Sequence, residues 1–228
     1  MDIEVTRAGL VPYAEAWAWH RARAEAVRDA GASEALYVLQ HPPVYTLGMR
    51  GRTASVIASD AALAAAGAEV VQSDRGGDVT FHGPGQLVAY PMIDLHRRGL
   101  GPASYVRLLE ACVIETLGAF GVAAERVPGR PGVWVREPLG GGALAKIAAV
   151  GVRVRRGVST HGISLNVSTD LGWYDAIVPC GIADAGVTSL VRVLEAAPPH
   201  EAVEAAFIAV FARMFHVEHH ATIQAGVR

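Results

Sequence analysis

Apolar and polar residues alternate over positions 3–8, the period of a short strand. Pro12 opens a helix that runs to about Ala30; a first-turn proline gives up an N–H that has no helical partner anyway. Ala35–Gln40 is a compact apolar run with strand character, stopped by His41-Pro42-Pro43. Ser59 caps a short alanine-rich helix ending at Gly67, and Glu69–Gln72 begins another strand. Residues 75–86, RGGDVTFHGPGQ, hold four glycines and a proline, which predicts a loop. Leu87–Ile93 follows as a strand, and Ser104–Phe120 has the amphipathic pattern of a helix ended by Gly121. A second Gly/Pro-rich stretch, 128–142, reads as irregular. Lys146–Arg155 and Ser159–Val167 both alternate, and Arg156-Gly157 between them predicts a hairpin. Within the second strand, alternation puts His161, Ile163, Leu165 and Val167 on one face. Pro198-Pro199 precedes a last helix over roughly 200–215, and a polar tail follows. Hairpins together with long crossovers predict a mixed β-sheet with flanking helices, an α/β (α+β) fold. With no repeat and no linker, residues 1–216 read as a single domain and 217–228 as a flexible tail.

Composition narrows the picture. A hydrophobic content of 51% suits a packed core rather than a disordered chain. No apolar run approaches the roughly 18–20 residues of a membrane span, and MDIEVTRAGL has no signal-peptide pattern, so a cytoplasmic, non-membrane protein is expected. Its two cysteines make neither a disulfide framework nor a zinc ribbon. The net charge of −2 argues against nucleic acid as the partner. Of twenty basic residues nineteen are arginine; Lys146 is the only lysine and Asn166 the only asparagine. A GC-rich genome explains most of that bias, and on a surface the exchange is harmless. It is not harmless where an amine must lose a proton, because guanidinium stays charged.

Cys112 sits at helical spacing from Leu108 and Leu109, the pattern of core filler. Cys180 lies between Pro179 and Gly181, outside a regular element, and is the candidate nucleophile. Lys146 is its natural companion: a nearby ammonium stabilises a thiolate, and an amine of lowered pKa carries protons. In the 75–86 loop, Arg75 could bind an anion, and the glycines let backbone N–H groups approach a ligand. That loop is neither a P-loop nor a dinucleotide fingerprint. His82 has no second histidine at metal-ligand spacing, and His216, His219 and His220 fall at or in the tail, so no metal is expected. His161 reads equally as a satisfied core histidine. Arg153, Arg155 and Arg156, or Arg50 and Arg52, form local basic patches that could dock an acidic protein.

Four segments closely resemble the bacterial lipoyl(octanoyl) transferase family: Arg75 through Leu87 followed by Tyr90-Pro91, Lys146 through Gly151, His161 through Asn166, and Pro179-Cys180-Gly181. His41-Pro42, Tyr45 through Gly48 and Gly132-Val133-Trp134 support the match. The resemblance implies the fold of lipoate and biotin protein ligase catalytic domains. It implies transfer of an octanoyl group from octanoyl-acyl carrier protein to a lysine of a lipoyl domain, in 2-oxo acid dehydrogenase complexes or the glycine-cleavage H protein. Cys180 and Lys146 correspond to the catalytic pair. The substrate-binding stretches correspond to Arg75, Gly76, Gly77, Asp78, Val79, Thr80, Phe81 and His82, to Ala149, Val150 and Gly151, and to Gly162, Ile163 and Ser164. The last two depart from the family pattern, which has an aromatic residue and an alanine there. The resemblance further implies a monomer that needs no cofactor or metal. Two other readings compete: an ATP-dependent lipoate or biotin ligase on the same fold, and a non-catalytic carrier-docking protein.

Overall fold

The structure, a computed structural model, describes residues 2–137, 141–178, 185–194, 196 and 198–216. Cys180 and the tail 217–228 therefore lie outside the described residues. In chain order the elements are β1 (Ile3–Leu10), α1 (Tyr13–Asp29), β2 (Glu34–Gln40), β3 (Val44–Leu47), α2 (Asp60–Ala65), β4 (Glu69–Gln72), β5 (Val79–His82), β6 (Gln86–Met92) and α3 (Pro102–Ala119). They continue with β7 (Ala124–Val127), β8 (Arg130–Arg136), β9 (Leu144–Arg155), β10 (Val158–Asn166), β11 (Gly186–Val187), α4 (Leu190–Leu194) and α5 (His200–Met214).

The larger sheet runs β1-β2-β6-β10-β9-β8-β7, with β11 joined to β9. β1 and β2 are parallel, linked across α1; the neighbours from β2 to β7 are antiparallel. This is the expected mixed sheet. Every residue of β6 is buried, because α1 covers one face of the central strands while α3 and α5 cover the other. Such doubly covered strands read as continuous apolar runs. Tyr105, Leu109, Cys112, Val113 and Leu117 of α3 meet Phe207 and Phe211 of α5 in the main core. The β9–β10 hairpin forms with Arg155 opposite Val158, and Arg156 takes the left-handed backbone its turn needs.

Three expectations are corrected. Residues 79–82 are not loop: β5 pairs antiparallel with β3, and with β4 they make a second, three-stranded sheet around Tyr45, Leu47 and Phe81. Residues 128–142 are not irregular throughout, since β8 pairs with both β7 and β9 and turns on Gly129 at φ +77°. His161 does not share a face with Ile163, Leu165 and Val167. Its φ of +57° breaks the alternation. The ring lies among Trp17 and His20 of α1, while the other three join the core under α3 and α5.

Candidate active site

The two sheets meet around a cavity of about 310 Å³, small among ligand sites. The loop before β5 forms one wall and the β9–β10 hairpin the other. Backbone contacts bring these walls together. Gly76 N–H donates to Val152 O at 3.1 Å. A Cβ on Gly76 would lie 2.8 Å from that oxygen, and one on Gly151 would lie 3.0 Å from Gly76 O. Only glycines permit this approach. From the other side, the N–H groups of Gly48, Met49 and Arg50 donate to the carbonyls of Asp78, Arg75 and Gly77.

Arg75 turns out to be a strut. Its side chain is buried. Nε donates to Thr46 Oγ1 at 2.9 Å, Nη2 to the carbonyls of Thr46 and Asp78 at 2.5 and 2.6 Å, and Nη1 to Gly76 O at 3.1 Å. Of the five guanidinium donors, only one on Nη1 is left for anything else. Its positive charge stays at the cavity wall, but its geometry pins the loop to β3. Asp78, Val79, Thr80 and His82 line the cavity beside Gly76 and Gly77, as do Ala149, Val150, Gly151, Gly162, Ile163 and Ser164. Phe81 points away; its ring is fully buried, stacked on Trp173 and tilted against Tyr45.

His82 is enclosed, and burial pushes its pKa well below the ordinary imidazole value, which favours the neutral ring. Nδ1–H donates to Gln86 Oε1 at 2.7 Å. Gln86 Nε2 donates to Asn166 Oδ1 at 2.9 Å, and Asn166 Nδ2 to Thr188 O at 3.0 Å. The lone asparagine thereby links β6 to Thr188, the residue after β11. His161 donates Nε2–H to Asp74 at 2.7 Å; that bond, with Arg153 also beside it, holds the Asp74 carboxyl at about 2.

Lys146 lies on the cavity wall, half-buried. Burial, with the Arg130 charge nearby, lowers its pKa; the Glu110 carboxylate opposes this more weakly. No carboxylate lies within ion-pair distance of it among the described residues. Its Nζ sits 4.8 Å from the centre of the Trp134 ring. Cys112 is remote from the cavity: its thiol is in the core against Met214, and burial raises it to about 12. That leaves it inert at neutral pH.

Several cavity residues went unread in the sequence, among them Tyr13 from α1, Tyr174, Ile177 and Val187. The one available signal was that the last three flank Pro179-Cys180-Gly181. Among the described residues no group of three or more His, Cys, Asp or Glu is placed to hold a metal ion, and no helix is long and apolar enough to cross a membrane.

Known proteins resemble this chain in sequence and in fold. An octanoyltransferase of Chloroflexus aggregans is 47% identical over 214 residues, covering 93% of this chain and 95% of that one. One from Acidiphilium cryptum is 48% identical over 212 residues, 91% and 89% of the two chains. The bipartite lipoate protein ligase of Thermoplasma acidophilum superposes with a TM-score of 0.75 at 16% identity, over 99% of this chain and 88% of that one. Lipoate-protein ligase A bound with ATP gives 0.73 at 16% identity, over 99% and 90%. At that identity the solved structures speak for the fold, and the sequence speaks for the family. Residues 12–212 match the lipoyl protein ligase A/B catalytic domain, and the chain belongs to that family.

Proposed function

We propose that this chain is an octanoyltransferase of lipoate biosynthesis. It takes an octanoyl group from octanoyl-acyl carrier protein and passes it to a lysine of a lipoyl domain, in a 2-oxo acid dehydrogenase subunit or the glycine-cleavage H protein. The observation that carries the reading is a half-buried amine, without a carboxylate partner among the described residues, on the wall of a small cavity. Ile177 and Val187, on either side of the stretch that contains Cys180, line that same cavity. β11 also pairs Val187 with Lys146, and Thr188 N–H donates to Lys146 O at 2.9 Å.

In the first step the Cys180 thiol gives its proton to the Lys146 amine, whose lowered pKa suits it to accept. The thiolate attacks the donor thioester; a new C–S bond forms, the carrier's C–S bond breaks, and the carrier thiol leaves with a proton from Lys146. One thioester replaces another, so the step is close to isoenergetic. In the second step the acceptor's amine attacks the acyl-enzyme. A C–N bond forms, the C–S bond to Cys180 breaks, and the amine's proton passes through Lys146 to the leaving Cys180 sulfur, restoring the thiol. Amide formation makes this step downhill without ATP. Backbone N–H groups of the glycine-rich walls are suited to hold the developing oxyanion. Burying the octanoyl tail against Val79, Val150 and Ile163 contributes about 0.8 kcal/mol per CH₂.

Intact mass spectrometry tests this directly. Mixing with octanoyl-acyl carrier protein in the absence of acceptor is expected to add one octanoyl group, and Cys180→Ala to abolish the adduct. An ATP-dependent ligase on the same fold would keep its activity after Cys180→Ser; a thioester-forming transferase would lose it. No adduct on the unmodified protein would overturn the transferase reading.

A further inference from the structure

We propose that Trp134 is the positioning residue for Lys146: its indole face, together with a bulge in β9, aims the amine at the cavity and stabilises its protonated form. The inference deepens the transferase reading by giving the proton-carrying amine its support.

The strand register makes the case first. Val133 pairs with Ala148 and Trp134 with Lys146, so one step along β8 spans two along β9. Ile147 is the extra residue. It drops into the main core, fully buried, and the slip sets Lys146 directly opposite Trp134. Without the bulge, Ile147 would face Trp134. Bulges beside sites commonly re-aim a side chain in this way. Gly132 then clears room for the lysine stem. A Cβ there would stand 3.3 Å from Lys146 Cε and 2.6 Å from Ala148 O, and the backbone φ of +116° is one that side-chain-bearing residues avoid. Glu110 of α3 secures Gly132, accepting its N–H at 2.9 Å, and is itself paired with Arg126 of β7.

The charges facing Lys146 come from different elements and oppose one another. Arg130 of β8 lies with its guanidinium carbon 5.9 Å from the same indole and disfavours a second cation; Glu110 of α3 favours it. On β11 the paired residue is Val187, which carries no charge. The indole face is the close group that attracts the ammonium at this half-buried position. Trp134 cannot drift, being fully buried and donating Nε1–H to Arg130 O at 3.1 Å.

The lone lysine makes a direct test possible, because an amine-acylating reagent then labels a single ε-amine, on a different peptide from the N-terminus. The labelling rate of the full chain is followed against pH by peptide mass; its midpoint reports the titration of Lys146 and its plateau reports access. Trp134→Leu is expected to lower the midpoint, raising the free-amine fraction below it roughly three- to tenfold. Trp134→Phe should shift it less, in the same direction. Arg130→Gln should shift it the opposite way. A packing role alone lets water reach the amine, which leaves the midpoint unmoved or raises it, and so does not give the two neighbours opposite signs. Should Trp134→Leu fail to fold, Trp134→Phe and Arg130→Gln decide. A midpoint unmoved or raised in the folded Trp134 variant overturns the proposal. Labelling needs neither donor nor acceptor, so it answers even if octanoyl transfer fails; if transfer holds, the acid limb of the kcat profile should move with the midpoint.

Discussion

Lys146 is the side chain whose replacement separates charge from proton transfer. Arginine keeps the charge and most of the reach but cannot act as a base near neutral pH. Lys146→Arg is therefore expected to lower kcat by about 10²-fold or more, the range of general acid–base contributions, with an unchanged thermal midpoint. Turnover near the unmodified value would mean that only positive charge is needed. Composition alone pointed to this residue, because a single lysine among nineteen arginines is conspicuous. Arg75 was legible as important but not in its role. Three of its four partners, Thr46 O, Gly76 O and Asp78 O, are backbone atoms, and a sequence carries no mark of which carbonyls a guanidinium will meet. Asn166 was similarly visible and unassigned; Gln86 and Thr188, which give it its place, lie far from it in the chain.

Elements with a sustained period were readable, and those shorter than the period's reach were not. Helices α1, α3 and α5 and the β9–β10 hairpin carry long patterns with clear breakers. β3 and β5 are four residues each, and β5 is bracketed by glycines, so local sequence favoured a loop while pairing across 30-odd positions decided otherwise. The same cause hid β7 and β8 among Gly129, Pro131 and Gly132. What ties these short strands to function is the contact of the pre-β5 loop with β9. Gly76→Ala should test it: the added Cβ meets Val152 O at 2.8 Å, so the loop must lift and the Gly76 N–H bond is lost. We expect KM for the acyl donor to rise about tenfold, as small misplacements at a site do. Hydrogen exchange should speed up over residues 75–80 and stay unchanged in α3. Unchanged KM with faster exchange would show that the loop's position is irrelevant to donor binding.

The molecule as a whole collects titratable groups that its surface charge hides. His20, His41, His82 and His161 are all buried, and burial lowers the pKa of each, His41 to about 4. The unfolded chain binds these protons near the ordinary value of 6.5, and the folded chain does not. Stability is thus fully present above about pH 6.5 and falls as pH drops toward 4, each group contributing up to about 1.4 kcal/mol per pH unit. Urea midpoints measured across that window should decline, and His41→Gln should flatten the slope by about one proton's worth. A flat profile would mean that these rings are protonated in the folded protein.

Steering of the protein partners belongs to the same scale, since a chain of net charge −2 has no general attraction for acidic surfaces. The two candidate arginine patches differ in place and in pairing: Arg50 lines the cavity, whereas Arg153 and Arg155 line a separate groove with Arg21 and Asp74. Arg153 is paired with Asp74 at 3.0 Å and Arg156 lies 3.9 Å from Asp29, so two of the three charges in that patch already face a carboxylate. Arg50 and Arg52 are exposed and have no carboxylate partner among the described residues; Arg50 lines the cavity itself, and Met49 and Ile57 expose apolar surface on the same loop. An unanswered charge at the mouth acts on encounter more than on chemistry. Arg50→Glu with Arg52→Glu should therefore lower kcat/KM for octanoyl-acyl carrier protein by roughly tenfold at low ionic strength, with kcat little changed. The defect should shrink as salt shortens the reach of charge to about 10 Å at 0.1 M. Reversal at Arg153 and Arg156 should cost less at low salt. A defect in the Arg50 and Arg52 variant that ignores ionic strength would assign these residues to contact rather than steering, and a larger defect at Arg153 and Arg156 would move the docking side to the β9–β10 hairpin.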